Sequence, residues 1–406
     1  MSRAFFLLLF VGLFVQKGHC EPPEIPKAKA SEEGMDEVKL FDLAKRIEKD
    51  QRLAIFSLLI SKNGKLVFEL YTGQIKAEES HYLMSVTKSV LSTLIGVAVG
   101  QGKIPGPITP ISEMVPTKLF KNKMAIKEFA KVNLQNVMGM SALNTPDPPR
   151  DMSAKAKDRQ NNYIQARNYL EFVLAQPLLE NIGKDFLYND ETPALASGVL
   201  SYKTQSSAFD YGCETLFKDL GFKNMEWMHQ DLTGINMGGY GLRLRPIDMQ
   251  KLGIAILQKG KWNDQQVIPA QWIEMIFRPY ISNKGEGASP NYGWYWWHSK
   301  YGAEKVFLEA NGWKGQRIAI QPEMGLVVTM TGCLEPEKFN EDAIFAELMS
   351  QYIIPAAEGP STPSTPNSID ELLQKINNGQ ARHNRAMEGR MIPSVRPKER
   401  AIRFRP

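Results

Sequence analysis

Histidine and cysteine are scarce in this chain, with five and three copies among 406 residues. His19, His81, His229, His298 and His383 show no metal-ligand spacing, so neither a metal site nor any other cofactor is expected. His81 lies close to the most informative segment of the chain, yet it reads as a surface or capping residue rather than a catalytic one. Several motifs are also missing. There is no G-x-S-x-G, no H-E-x-x-H and no Walker loop, because Gly102-Lys103 lacks both the preceding glycine and a following Ser or Thr. Long apolar runs are absent as well. The longest, Ala4 to Val15, falls short of the ~20 residues that cross a bilayer, and no other segment could span one. No period of about 20–50 residues repeats, which argues against a solenoid or propeller.

Basic charge is confined to one end. Nine of the Lys and Arg residues, against five Asp and Glu, lie from Ala357 onward, so most of the formal charge of +5 belongs to the tail. Apart from Phe404 that tail has no interleaved aromatics, so nucleic acid is not an expected partner. A loose contact with an anionic envelope surface would suit its charge.

The chain does have enough apolar residues, 43%, to build a substantial core. Arg3, the apolar run after it, and the small residues Gly18 and Cys20 read as a signal peptide over residues 1–20, with an uncleaved anchor as the competing reading. An exported protein, periplasmic or secreted, with no transmembrane segment in the mature chain, is the expectation. Without Cys20, Cys213 and Cys333 remain; they could pair in an oxidising compartment or stay as two buried thiols.

Residues 53–71 form two apolar-rich runs around Asn63-Gly64, a strong hairpin signal. Near the other end, FLEANGWKGQRIAIQPEMGLVVTMTG supplies two strands joined through Pro322–Gly325, and NYGWYWWHS reads as one more. The expected fold is α/β in the α+β sense: an antiparallel sheet drawn from both ends of the chain (21–108 and 237–356), flanked by helices. An all-helical insertion (109–236) lies between the two parts, with helix-like runs in ARNYLEFVLAQPL, ETPALASGVLSYK and DYGCETLFKDLG. Residues 357–406 read as a linker (EGPSTPSTPNS), one short helical candidate at IDELLQKI, and an unfolded basic tail.

The segment MSVTKS, residues 84–89, opens VTKSVLSTLIGVAVGQG, which is apolar on nearly every face of a helix and carries Lys88 as its only charge. Burying an ammonium costs several kcal/mol unless it is paired or neutralised. Ser85 lies one turn earlier on the same face, with Cβ atoms about 5–6 Å apart at this spacing, so the Lys88 amine falls within reach of its hydroxyl. Burial and the positive end of the helix would lower the amine pKa. A neutral Lys88 would then be the general base for a nucleophilic Ser85. About one or two Ser-x-x-Lys matches are expected by chance in a chain of this length; there is one, and it heads an apolar helix.

SVTKSVLSTLIGVAVGQGKI resembles the active-site helix of the serine β-lactamase and penicillin-binding-protein superfamily, in particular its class C-like branch of esterases and amidases, which includes 6-aminohexanoate-dimer hydrolases. DFLYNDETPALASGVL is similar to the segment bearing the second motif, Tyr-x-Asn, with the tyrosine at Tyr188. GYGLRLRPIDMQKLGIAILQKGKWNDQQVIPAQWIEMI, NYGWYWW and GWKGQRIAIQPEMGLVVTMTG resemble later landmarks, and the likeness runs from about Leu53 to Ile354.

The resemblance implies a β-lactamase/transpeptidase-like fold and an acyl-enzyme on Ser85, with Lys88 and Tyr188 moving protons. It places the oxyanion hole at the backbone N–H groups of Ser85 and Gln316. Asp190 stands where the motif has asparagine, with Asn189 one place earlier, and Trp313-Lys314-Gly315 stands in place of Lys-Thr-Gly. Tryptophan cannot meet a substrate carboxylate, and in that register Lys314 points to the other side of the strand. An ester or amide lacking the carboxylate is therefore the expected small-molecule or peptide substrate, contacted by Asp190, Trp313 and Gly315. A penicillin-binding carboxypeptidase or β-lactamase, and a non-catalytic binding protein of the cell envelope, are the alternatives. Trp294, Trp296 and Trp297 read as sheet packing.

Overall fold

The computed structural model describes residues 24–50, 54–72, 76–146, 153–283, 289–302, 305–334, 340–360 and 368–379. The expected signal peptide and the last stretch of the basic tail, with His19, Cys20 and His383, lie outside these residues.

The centre is an eight-stranded sheet, antiparallel throughout. Its strands are β1 (Ile55–Lys62), β2 (Lys65–Tyr71), β3 (Ile281–Ser282), β4 (Asn291–Gly293), β5 (Trp296–Tyr301), β6 (Lys305–Gly312), β7 (Gln316–Gln321) and β8 (Leu326–Gly332). They lie in the order β2-β1-β8-β7-β6-β5-β4-β3, so the two ends of the chain meet where β1 pairs with β8. Asn63 and Gly64 both take positive φ (52° and 80°), as a two-residue hairpin turn requires, and join β1 to β2.

The segment NYGWYWWHS holds two strands rather than the one expected. Trp294 and Tyr295 turn between β4 and β5 at φ 58° and 64°, a costly conformation for bulky residues. Burial repays that cost: Trp294 and Tyr295 are packed in the core, the Tyr295 N–H donates to Met138, and the Tyr295 carbonyl accepts from Ser89 Oγ at 2.6 Å.

One sheet face is covered by the Val86–Gly100 and Pro246–Leu257 helices, and its apolar cluster runs without a break into the helices of the region 109–236. The other face is covered by Glu37–Lys49, Glu341–Leu348 and Ile354–Glu358. Ser368–Gly379, which contains the helical candidate at IDELLQKI, is a helix packed on this second layer through Ile369, Leu373 and Ile376. Its apolar residues recur at helical spacing and cover the Glu37–Lys49 helix, and Asn377 Oδ1 accepts the N–H of Tyr71 on the edge strand. Among the described residues no helix is long and apolar enough to cross a membrane. Cys213 and Cys333 are not joined to each other in a disulfide.

Candidate active site

The Val86–Gly100 helix is buried on nearly all sides, as its composition demands. Its Gly96 lies where a Cβ would fall 2.4 Å from the Trp272 ring, so glycine permits that close approach. Met84, immediately before the helix, takes φ 48°, a strained backbone that presents the half-buried Ser85 at the helix start.

Lys88 is 1% exposed. Its Nζ donates to Ser85 Oγ at 3.0 Å, to Asp190 Oδ1 at 2.7 Å and to the Gly239 carbonyl at 2.9 Å. It also lies 4.9 Å from the centre of the Tyr188 ring. Ser85, Lys88, Tyr188 and Asp190 thus meet although a hundred residues separate the two pairs in sequence. The protonation expected for Lys88 is reversed. Burial alone would lower its pKa, but the adjacent Asp190 carboxylate and Tyr188 raise it well above the ordinary lysine value, so the resting amine is an ammonium. A neutral neighbour at position 190, as in the resembled motif, would not have this effect.

Asn189 and Asp190 divide their work. Asn189 is fully buried and its Oδ1 accepts from the N–H and hydroxyl of Thr192, capping the Glu191–Thr204 helix. Asp190 faces Lys88 with 22% of its side chain exposed. Gly239 was not singled out from the sequence as a site residue. It supplies the third Lys88 acceptor, and a Cβ there would lie 2.9 Å from Asp190 Oδ1; the Gly238-Gly239 doublet was the available signal.

The third motif falls three residues earlier than expected. Gly312, at the end of β6, packs against the segment before Ser85: a Cβ there would sit 2.4 Å from the Leu83 carbonyl and 3.3 Å from Met84 Cβ. Gly315 instead faces Leu334 and Met330 on the opposite side of the sheet. Gln316 is fully buried, pairs with Gly312 in the ladder, and commits its side-chain amide to Trp313 and Gly332. The position beside the segment that precedes Ser85 thus belongs to Gly312, at the end of Ala310-Asn311-Gly312, rather than to Gly315. Trp313 is 52% exposed. Lys314 does not point away from it: φ of 66° folds the chain so that Lys314 Nζ lies 4.6 Å over the Trp313 ring. Behind this hairpin, Glu341 accepts the N–H groups of Lys314 and Gly315, and burial pushes its pKa up to about 7.

Two aromatic assignments also change. Trp296 and Trp294 are packed as expected, but Trp297 is half-buried and stacks on Tyr188 with ring centres 5.5 Å apart. With Tyr292 and Phe186 it forms an aromatic wall at the site. His81 is not a surface residue; it is buried edge-on against Phe56, and burial lowers its pKa to about 3. No group of three or more His, Cys, Asp or Glu residues that could hold a metal occurs among the described residues.

A buried lysine one turn after a serine at a helix start, on a helix packed against an antiparallel sheet, is an arrangement of the penicillin-recognising class of folds. The chain belongs to the Beta-lactamase family, whose model matches residues 40–348. It is 21% identical over 307 residues, 71% of this chain and 74% of the other, to a 6-aminohexanoate-dimer hydrolase of Paenarthrobacter ureafaciens. Similar solved structures include EstCE1, a hydrolase with promiscuous acyltransferase activity (13% identity, 78% of this chain and 98% of that one, TM-score 0.63). A penicillin-binding protein homologue from Caulobacter crescentus is another (12% identity, 81% and 98%, TM-score 0.60). At these identities the structures establish the fold.

Proposed function

We propose that this protein is an exported serine hydrolase that cleaves an ester or amide through an acyl-enzyme on Ser85. The observation that carries the reading is the 3.0 Å contact between Lys88 Nζ and Ser85 Oγ at 1% exposure of the lysine. Evolution has no packing reason to bury a lysine one turn from a serine, because an apolar residue would cost less there. Ser85 Oγ attacks the carbonyl, and the resulting oxyanion is met by the backbone N–H groups of Ser85 and Trp313, the two that flank the contact between Gly312 and Leu83. Tyr188, beside Lys88, assists proton delivery to the leaving group.

An acyl substrate without a carboxylate suits the site. Ala310 and Asn311 carry no charge where a cation would face that group, and Asn311 donates its amide to Asp342. The exposed Trp313 and the aromatic wall around Trp297 provide apolar contact instead. The names of the similar proteins, a 6-aminohexanoate-dimer hydrolase and a hydrolase with promiscuous acyltransferase activity, are compatible with this class. Export rests on the sequence of residues 1–20 alone.

Intact-protein mass spectrometry after exposure to p-nitrophenyl acetate, p-nitrophenyl butyrate, a fluorophosphonate and benzylpenicillin tests the reading, with Ser85→Ala alongside. The expected result is an adduct from an ester or the fluorophosphonate on the native chain only. Labelling by benzylpenicillin alone would favour the penicillin-binding alternative. A folded native chain that no reagent labels would overturn the hydrolase reading in favour of a binding protein.

A further inference from the structure

The acyl-enzyme reading leaves the serine proton without a destination. An ammonium has three N–H donors and no lone pair. Lys88 directs its three donors at Ser85 Oγ, Asp190 Oδ1 and Gly239 O, with the Tyr188 ring centre 4.9 Å away, so in the resting site it donates to the nucleophile and cannot take a proton from it. One of its own protons must first leave. The Gly239 carbonyl cannot hold it, and Ser85 is the group being deprotonated. Asp190 and Tyr188 remain, and of the two the Asp190 carboxylate, 2.7 Å from Nζ as the ion-pair partner of Lys88, offers lone pairs and has no proton of its own to give up.

We propose that Asp190 is the proton store of the acylation step and Lys88 the relay between it and Ser85. Ser85 Oγ forms its bond to the acyl carbon, and the carbonyl π pair moves to oxygen. The hydroxyl proton passes to Lys88 Nζ while an Nζ proton passes 2.7 Å to Asp190 Oδ1. When the carbonyl re-forms, the bond to the leaving group breaks with its electron pair. The proton returns from Asp190 through Lys88 to that group, directly or across the Tyr188 hydroxyl. Water then enters in place of the leaving group, and the same path runs once more, returning Ser85 and the Asp190 carboxylate to their starting states. No other reactant is needed.

Three features of the site fit a relay better than a static ion pair. Gly239 wraps both partners, its carbonyl accepting from the lysine and its missing Cβ leaving room for Asp190 Oδ1. Asn189, which could have taken a neutral role beside Lys88, is consumed as a helix cap. Asp190 retains 22% exposure at the open side of the site. A bound acyl group removes that remaining water, and desolvation favours the neutral pair over the charged one. The proton shift is thereby coupled to substrate binding. The charged and titratable groups around Asp190 are Lys88 from the Val86–Gly100 helix and Tyr188 on its own segment. Glu191 is the next residue, paired with Arg159 at 2.9 Å, and the buried Tyr163 lies near both carboxylates.

This inference rests on the acyl-enzyme reading, and the experiment separates the two. Pre-steady-state acylation by p-nitrophenyl acetate is followed across about pH 5–10 for the native chain, Asp190→Asn and Asp190→Glu, with thermal melts as the folding check. The relay requires the native acylation rate to reach its plateau below about pH 7, because it starts from a carboxylate and an ammonium. Asp190→Asn should replace the native profile by a rising limb that reports Lys88 losing its own proton, which burial without the carboxylate places below the ordinary lysine range, and should lower the rate at least ~10-fold at about pH 5–6, where that amine is still charged; Asp190→Glu should recover part of the rate. A native rising limb above about pH 8 would show that free lysine is the base, and would overturn the relay even if neither variant folds. A folded Asp190→Asn within ~3-fold of native at about pH 5–6 on an unmoved limb would overturn it too, while adducts on Ser85 in both proteins left the acyl-enzyme reading standing. A native chain never labelled at Ser85 overturns both.

Discussion

The sheet carries a buried cation on each face, and the two are built differently. On the second face Arg317, 1% exposed, pairs through Nη1 with Glu309 at 2.9 Å and through Nη2 with Asp342. Glu309 is itself 1% exposed, and its other oxygen accepts from Ser299 and from Tyr301 at 2.7 Å. On the first face Lys88 pairs with one carboxylate that is partly open, and spends its next donor on a hydroxyl at a helix start. Both cations are held firmly protonated by their carboxylates, against the effect of burial. The difference lies in what can follow. A guanidinium does not release its proton in proteins and its fork suits two fixed carboxylates, whereas an ammonium can hand a proton over. The same device, a buried ion pair, fastens the sheet to a helix at one site and leaves a movable proton beside a nucleophile at the other.

The largest expected effect that would break this comparison is on catalysis. Lys88→Met should reduce hydrolysis of p-nitrophenyl acetate by about 10²–10⁴-fold while leaving a cooperative melt. Retained activity would make Lys88 as structural as Arg317. The converse substitution, Arg317→Met, strands Glu309 without its cation and should cost about 3–5 kcal/mol in denaturant unfolding. The kcat of the folded fraction should stay within about twofold of native, and a selective loss of kcat would show that the second face reaches the site.

Acid stability sharpens the contrast between ion pairs and buried neutral groups. His81 is held neutral with its pKa lowered to about 3, against an unfolded value near 6.5. Its folded pKa lies below its unfolded one, so only the unfolded chain takes up its proton between those values. The protein should therefore lose about 1.4 kcal/mol per pH unit below ~6.5, or about 2 kcal/mol at pH ~5, with no change above ~7. His298, lowered to about 4, acts in the same direction. Urea unfolding at pH ~5 and ~7 measures the drop, and His81→Phe should diminish its slope. The smallest effect belongs to Trp313→Ala. Loss of an exposed apolar contact should raise KM for p-nitrophenyl butyrate about 5–20-fold with little change in kcat. A fall in kcat with unchanged KM would place Trp313 in transition-state stabilisation through its side chain.

Much of this molecule is legible before any tertiary contact is known. Asn63-Gly64 specified its hairpin because few residues other than Asn and Gly accept positive φ at both turn positions. The apolar Val86–Gly100 stretch specified a buried helix, and with it a lysine that had to be explained. The Trp294-Tyr295 turn escaped notice because aromatics at positive φ are stable only when the core repays the strain. The Ser368–Gly379 helix was legible as a candidate at IDELLQKI, but its docking was not, because a Ser- and Pro-rich linker separates it from the layer that buries its apolar face.

Spacing along the chain by itself determined that Ser85 and Lys88 share a helix face, since 3.6 residues per turn leave no alternative. Three matters were decided only by the tertiary structure. Asp190, a hundred residues away, arrives beside Lys88 and fixes it as an ammonium; proton affinity depends on charges brought near through space, which sequence proximity does not report. Gly312, not Gly315, faces the Ser85 segment, because the register of two strands follows from the ladder and not from a motif's spelling. Trp297 turns to the site while Trp296 turns to the core, because successive residues of a strand face opposite sides and only the packed sheet says which side is which.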